Sequence, residues 1–292
     1  VVPSLASIDH EKNIYNITKN AIDSAKIDLK DINLIAVTYG SGLLSSLIIG
    51  LNFSKGLAIS LNIPFIAINH LEGHLSSSLI NNKSVTFPYL SLIVSGGHTQ
   101  IWLVENFNRY KVVANTVDDA VGEAFDKGAR ILDLGYPGGP EIEKISIGGD
   151  CEKYKFSIPK VKNNPLNFSF SGLKTALLYK KNNLIKDEIK FSINDLAASY
   201  QEILLNTLFD KLKKAIKKYE ISNISIVGGV SANKRFRDKS STFQKKNYVS
   251  IQFPDMEYCT DNAAMIAMAG YIKSKNNEFS SLDVLPNPNI SR

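Results

Sequence analysis

A chain of 292 residues with 44% hydrophobic and 21% charged residues has the balance of a folded globular protein and is long enough for two lobes. Its net charge of +6 favours a polyanionic partner without identifying one, and part of that charge can come from a Lys-rich composition. Two cysteines, Cys151 and Cys259, form no CxxC pair and are too few for a disulfide framework; no uninterrupted apolar run long enough to span a bilayer and no secretory leader is read, so a reducing cytoplasm is the simplest setting.

In chain order, Ile14, Ile17, Ala21, Ile22 and Ala25 are spaced as one face of a helix. Leu34–Thr38 reads as a buried strand, Gly40–Ser41–Gly42 as a tight turn, and Leu43 to about Leu61 as a second helix. Ile63, Ile66 and Ile68 mark a short strand ending near Asn69, and the residues through Leu79 read as a helix. This α, β, α, β, α alternation predicts an α/β layer with at least two parallel strands. His70 and His74, two of only four histidines, fall on one face of that third helix and can hold a single metal ion, although a polar strand-to-helix corner explains the same pair. Glu72 lies two positions after His70, about 200° around the helix. It therefore cannot serve as the water-activating Glu of an H-E-x-x-H peptidase.

A polar break at Asn81–Ser84 precedes the strand Tyr89–Val94, the turn Ser95–Gly96–Gly97–His98–Thr99 and the strand Gln100–Val104, which together predict a hairpin. Its tip can bring backbone N–H groups, with His98 and Thr99, against a phosphate; a plain turn is the alternative. Val117–Asp118–Asp119 predicts a helix start, with Asp126 and Lys127 further along, and Gly135–Pro140 is too rich in Gly and Pro to be regular. Residues 141–165 carry no clear periodicity. Asn167–Thr175 opens a helix whose first turn holds hydroxyls and Lys174. Asn194–Lys217 is a long helix, its lysine-rich end read as solvated. Asn223–Val227, Gly228–Gly229 and Val230–Asn233 give strand, glycine turn and helix start, an arrangement that sets a nucleotide at a helix N-terminus with Asn233 near its sugar or base. After a strand near Val249–Phe253, Cys259–Asn262 opens a small-residue helix from Ala263 to Ile272. There Asp261 is a natural third ligand and Cys259 a buried small hydrophobe. Asn276–Arg292 reads as a loose tail.

Taken together, two histidines, a later carboxylate and two Gly-Gly turns predict a metal-plus-nucleotide site between two α/β lobes. The motifs Asn69–Leu75, Val94–Gln100, Asp118–Lys127, Tyr136–Pro140, Phe168–Thr175, Gly228–Asn233 and Cys259–Asn262, co-linear from Val1 to about Gly270, resemble the bacterial tRNA N6-adenosine threonylcarbamoyltransferase family, once labelled a glycoprotein endopeptidase. The resemblance implies the two-lobed fold of actin, sugar kinases and Hsp70. It places the lobes at 1–86 and 87–262, the second with a helical insertion, and has 263–292 packing back on the first. It also implies transfer of threonylcarbamoyl from threonylcarbamoyl-AMP to N6 of adenosine 37 in tRNAs reading codons that begin with A.

By the same resemblance His70, His74 and Asp261 bind one divalent metal, iron being expected and zinc or magnesium alternatives. Ile93, Val94, Ser95, Gly96, Gly97, Asp126, Gly139 and Asn233 hold the adenylate or ATP, and His98, Thr99 and Lys174 are secondary candidates, with a surface role the plainer reading of Lys174. No catalytic base is identified. Expected partners are tRNA, an inactive paralogue of the same fold and a small P-loop ATPase, in the cytoplasm and without a membrane. The chain departs from the pattern by beginning at Val1 without the family's leading hairpin, which reads as an N-terminally truncated first lobe, and by Tyr39 and Ser41 where the family has Ala and Pro. A small-molecule kinase of the same fold and an inactive scaffold subunit are the competing readings.

Overall fold

The computed structural model describes residues 2–81, 86–107, 109–162 and 164–290, so most of the predicted break at Asn81–Ser84 lies outside the described residues. The chain divides into two compact units, Val1–Lys83 with Asn262–Arg292, and Ser84–Asp261.

In the first unit, strands β1 (Ile35–Gly40) and β2 (Phe65–Asn69) pair in parallel with Ile35 opposite Phe65. Alternation along β2 sends its side chains to two faces. Ile66 and Ile68 pack with Met265, Ile266 and Ala269 of helix α9 (Ala263–Lys275), whereas Phe65 and Ala67 pack with Leu51 and Ala58 of helix α2 (Leu44–Leu61). Helix α3 (His70–Ser77) follows β2 directly because the Asn69 side chain accepts the Leu71 N–H at 2.9 Å and caps it. Helix α1 (Pro3–Ala25) packs on α2 yet buries no residue completely. One segment needs comment here, and one expectation needs correction. The segment 44–61 is apolar and long enough by length and composition to cross a membrane, with mean hydropathy 1.4. In this unit it nonetheless packs through Leu47, Leu51 and Ala58, and Lys55 interrupts it. Nor is the C-terminal segment loose: Ser280 N–H donates to the Phe65 carbonyl, Ser280 Oγ accepts from Ala67 N–H, and Asn287 N–H donates to the Tyr39 carbonyl at 2.7 Å. Polar, Pro-containing sequence hid a segment that satisfies strand-edge groups.

The second unit is built on a five-stranded sheet in the order β5-β4-β3-β6-β7. Strands β3 (Tyr89–Val94), β4 (Thr99–Asn106) and β5 (Arg109–Asn115) are antiparallel, and β6 (Asn223–Val227) and β7 (Ser250–Gln252) run parallel to β3. The edge strand β5 has no counterpart in the sequence reading, because Arg109 and Lys111 break its apolar pattern. Helices α4 (Val121–Ile131), α5 (Gly138–Ile145), α6 (Ser171–Lys186), α7 (Ile193–Tyr219) and α8 (Lys234–Asn247) complete the unit. Its core joins Leu90, Leu92, Phe125, Phe168, Tyr200, Leu204 and Phe236. Helix α4 begins at Val121, later than the predicted Val117. Asp118 is instead drawn away to accept from Ser169 Oγ, Phe170 N–H and Ser171 N–H, which closes the start of α6, where Phe170 offers no side-chain cap. The Gly–Pro run also proves partly regular: Gly138–Gly139–Pro140 is the first turn of α5, where a proline sacrifices no helical hydrogen bond.

Candidate functional site

The histidine pair sits on the first turns of α3, one turn apart, with ring centroids separated by 4.7 Å at 77°. His74 is fully buried and His70 half-buried. Asp261 directly precedes Asn262, whose side chain caps α9 by accepting the Met265 N–H at 2.8 Å. One donor atom from each of His70, His74 and Asp261 lies within 4.8 Å of the others. Two imidazoles and a carboxylate converging this closely could hold one metal ion, and such donors suit iron or zinc better than magnesium. Glu72 is buried and turned toward α9, where its carboxylate lies 2.9 Å from Lys273 Nζ. This pair ties α3 to α9 and removes the carboxylate from any peptidase role.

The glycine turns meet at the C-terminal ends of β3 and β6, inside the second unit. Ser95 N–H donates to the His98 carbonyl at 2.9 Å and Ser95 Oγ accepts the His98 N–H, so Ser95–His98 is a closed turn. Gly228, at φ +96°, passes so close to β3 that a Cβ there would lie 2.4 Å from the Val94 carbonyl oxygen. The start of α4 closes on the same turn, Gly122 N–H donating to the Ser95 carbonyl at 3.2 Å. Space where a Cβ would stand is open at Gly96, Gly97 and Gly139. Backbone without a side chain in front of it, exposed at Gly96 and Gly97 and half-buried at Gly139, is what a phosphate or sugar needs for close approach.

The remaining candidates divide by what already holds them. Ile93 and Val94 are buried strand residues of β3. Asp126 Oδ1 accepts the Gly138 N–H at 2.7 Å and so fixes α5 beside Gly139. Asn233 caps α8 by accepting the Phe236 N–H, and its amide donates to Gln201 Oε1 at 2.8 Å, which leaves one amide hydrogen for a ligand. Thr99 Oγ1 accepts the Val121 N–H at 2.8 Å and thereby seats α4. Lys174 donates to Asp119 Oδ2 at 3.0 Å, while Lys127 takes the other oxygen at 2.7 Å. Burial pushes the Asp119 carboxyl up, but the two ammonium groups outweigh it and hold it below its ordinary value. Asp118 behaves similarly through its hydrogen bonds to Ser169, Phe170 and Ser171.

Sequence reasoning missed Arg237. Its Nε donates to the Ser231 carbonyl, and its Nη2 donates to the Pro254 carbonyl and meets Cys259 Sγ at 3.2 Å, with the guanidinium 4.7 Å from the Phe253 ring centroid. One side chain thus fastens the glycine turn to the loop that leads into Asp261. An arginine inside a basic run carries no local signal of that role.

The family model for TsaD, tRNA N6-adenosine threonylcarbamoyltransferase, matches residues 1–268. Curated proteins of that name are similar along nearly the whole chain. The one from Thermosipho africanus is 46% identical over 292 residues, covering 99% of this chain and 88% of the relative. The Clostridioides difficile protein is 42% identical, covering 100% and 87%. Among solved structures, full-length HypF in its phosphate- and nucleotide-bound form superposes with a TM-score of 0.65 at 13% identity, covering 89% of this chain and 42% of HypF. The HypF of T. kodakarensis gives 0.62 at 13%, covering 85% and 42%. At that identity the likeness is one of fold.

Proposed function

The chain belongs to the tRNA N6-adenosine threonylcarbamoyltransferase family, and from that membership we propose that it transfers the threonylcarbamoyl group of threonylcarbamoyl-AMP to N6 of adenosine 37 in tRNAs reading ANN codons, within a two-lobed actin-like fold. The observation that carries the reading is the His70, His74 and Asp261 donor set accompanied by glycine turns with open space in front of their backbone.

In this reading the reacting N6 attacks the carbamoyl carbon. The C–O bond to the phosphate breaks with its electron pair on AMP, and the N6 proton leaves to solvent or phosphate. Ser95–Gly97 and Gly139 would receive the adenylate against backbone N–H groups, which favour the phosphate charge without a side chain in the way. Asp126 holds α5 so that Gly139 keeps its place, and Asn233 offers its spare amide hydrogen to the sugar or base. His70, His74 and Asp261 would hold a divalent metal, iron by preference, and such a metal supplies polarisation of a carbonyl or phosphate oxygen. Lys174, committed to Asp119, acts by organising the start of α4 and α6.

Synthesis of the modified nucleoside belongs with tRNA in the cytoplasm. Exposed apolar side chains on α1 and α2, among them Leu5, Ile8, Ile17 and Ile59, support assembly with partner proteins such as an inactive paralogue and a P-loop ATPase.

The test supplies the full chain with threonylcarbamoyl-AMP and unmodified tRNA and measures the nucleoside by mass spectrometry. Formation of threonylcarbamoyladenosine is expected, and its absence with substrate-competent tRNA would sink the transferase reading. His70→Ala should abolish both the product and the visible absorption of a cobalt-substituted site; unchanged cobalt absorption would remove His70 from the ligand set.

A further inference from the structure

We propose that the outer face of α7 and α8 in the second unit is a docking surface for the phosphate backbone of the RNA substrate. Residues 211–246 carry eleven Lys and Arg against two Asp and Glu, net +9, while the whole chain is +6, so all the other residues together are net −3. The positive charge of this protein is therefore concentrated in one stretch. Composition alone would have spread it.

Topology brings that stretch together. Helices α7 and α8 both run back to the N-terminal ends of neighbouring parallel strands, β6 and β7, so their C-terminal ends lie at the same end of the sheet. They pack through Phe209 against Phe236 and Phe243, with ring centroids 5.3 and 4.8 Å apart. Lys213 and Lys217 of α7 and Lys245 and Lys246 of α8 are exposed and have no acidic partner among the described residues. Lys213 and Lys217 stand at i and i+4, where like charges repel, so the helix bears them at a cost that a bound polyanion would relieve. Between the helices a groove of about 390 Å³ carries Arg235, Lys239 and Lys246 against a single acid, Asp238, over the rings of Phe209 and Phe243. Arg235 and Lys239 are held at its wall by Glu202, whose carboxyl they keep below its ordinary value despite burial.

Distance selects RNA. Helix α8 starts at Lys234, capped by Asn233 beside the glycine turn, and rises about 17–18 Å to Lys245 and Lys246. A nucleic-acid strand whose reacting base reaches the adenylate held at the glycine turns would run its phosphates along this helix, each neutralised phosphate steepening the salt dependence of binding. A small anion would gain nothing from charge so far from the turn.

This surface rests on the transferase reading and is separable from it. The experiment measures binding of unmodified tRNA to the full chain at several salt concentrations, for the parent, for Lys213→Gln/Lys217→Gln/Lys245→Gln/Lys246→Gln, and for a control pair, Lys186→Gln/Lys190→Gln. The quadruple variant is expected to lose at least tenfold in affinity at low salt and to lower the log–log salt slope by about two to three. It should still bind threonylcarbamoyl-AMP like the parent, and the control pair should stay within twofold. A parent that binds tRNA while the quadruple variant matches it overturns the surface alone. Equal losses in the control pair, or a parent that prefers polyglutamate to tRNA, also overturn it. A parent that binds no tRNA removes the transferase reading and this surface with it.

Discussion

The two units reach stability by different routes. The second gathers Phe125, Phe168, Tyr200, Leu204 and Phe236 into one continuous core under a five-stranded sheet. In the first, two strands separate two small clusters, and α1 buries no residue fully. The histidine pair nevertheless sits in the thinner unit. What compensates is local: Asn69 capping α3, the buried Glu72–Lys273 pair, and an approach of α9 to β1 so close that a Cβ on Gly270 would lie 2.4 Å from the Ala36 Cβ. The elements that bear the two histidines and follow Asp261 are tied by a few short-range contacts and not by the size of the core beneath them.

Three substitutions test that contrast. The largest effect is expected from Phe168→Ala, which empties a fully buried position in the second unit and should cost about 3–5 kcal/mol. The chain's one tryptophan, Trp102, is buried in the same unit, so its fluorescence during urea unfolding reads that loss directly. Gly270→Ala should cost about 1–3 kcal/mol by forcing α9 off β1. Because that strain is confined to the first unit, it should weaken cobalt binding while leaving the Trp102 midpoint nearly unmoved; a large shift of that midpoint would show the units unfolding as one. The smallest effect belongs to Asp118→Asn, about 1 kcal/mol, since its partners Ser169 and Ser171 are partly solvated. Asp118 and Asp119 are both depressed below 3.8 in the folded state, so their contribution is complete above that value. It disappears as pH falls through the depressed values. Acid titration of Trp102 fluorescence should show parental stability dropping below about pH 3.8 and the Asn variant dropping less.

Much of this was legible in the residues. The alternation of β-branched strands with helices foretold the first unit, and the spacing of His70 and His74 on a helix needed only 3.6-residue geometry. Strand–Gly-Gly–strand and strand–Gly-Gly–helix marked both turns. Illegible features depend on long-range partners. Asp118 and Asp119 look like helix-starting acids, and only the distant Ser171 and Lys174 reveal that they join two helices. β5 has too few apolar residues to declare itself and exists because β4 offers an edge. Asn233 reads as a ligand-binding amide but spends most of its capacity on a cap and on Gln201.

The ties from the C-terminal segment to the first sheet carry a consequence for biosynthesis. Lys55 Nζ meets the Val284 carbonyl across 229 positions of sequence, and the Ala67 N–H meets Ser280 Oγ across 213. All of residues 84–261 leave the ribosome before those partners exist. The second unit can therefore close its core during translation, while β1 and β2 wait with open edges for residues made last. His70 and His74 follow directly on β2, so the nascent chain can bring them together with Asp261 only when synthesis is almost over.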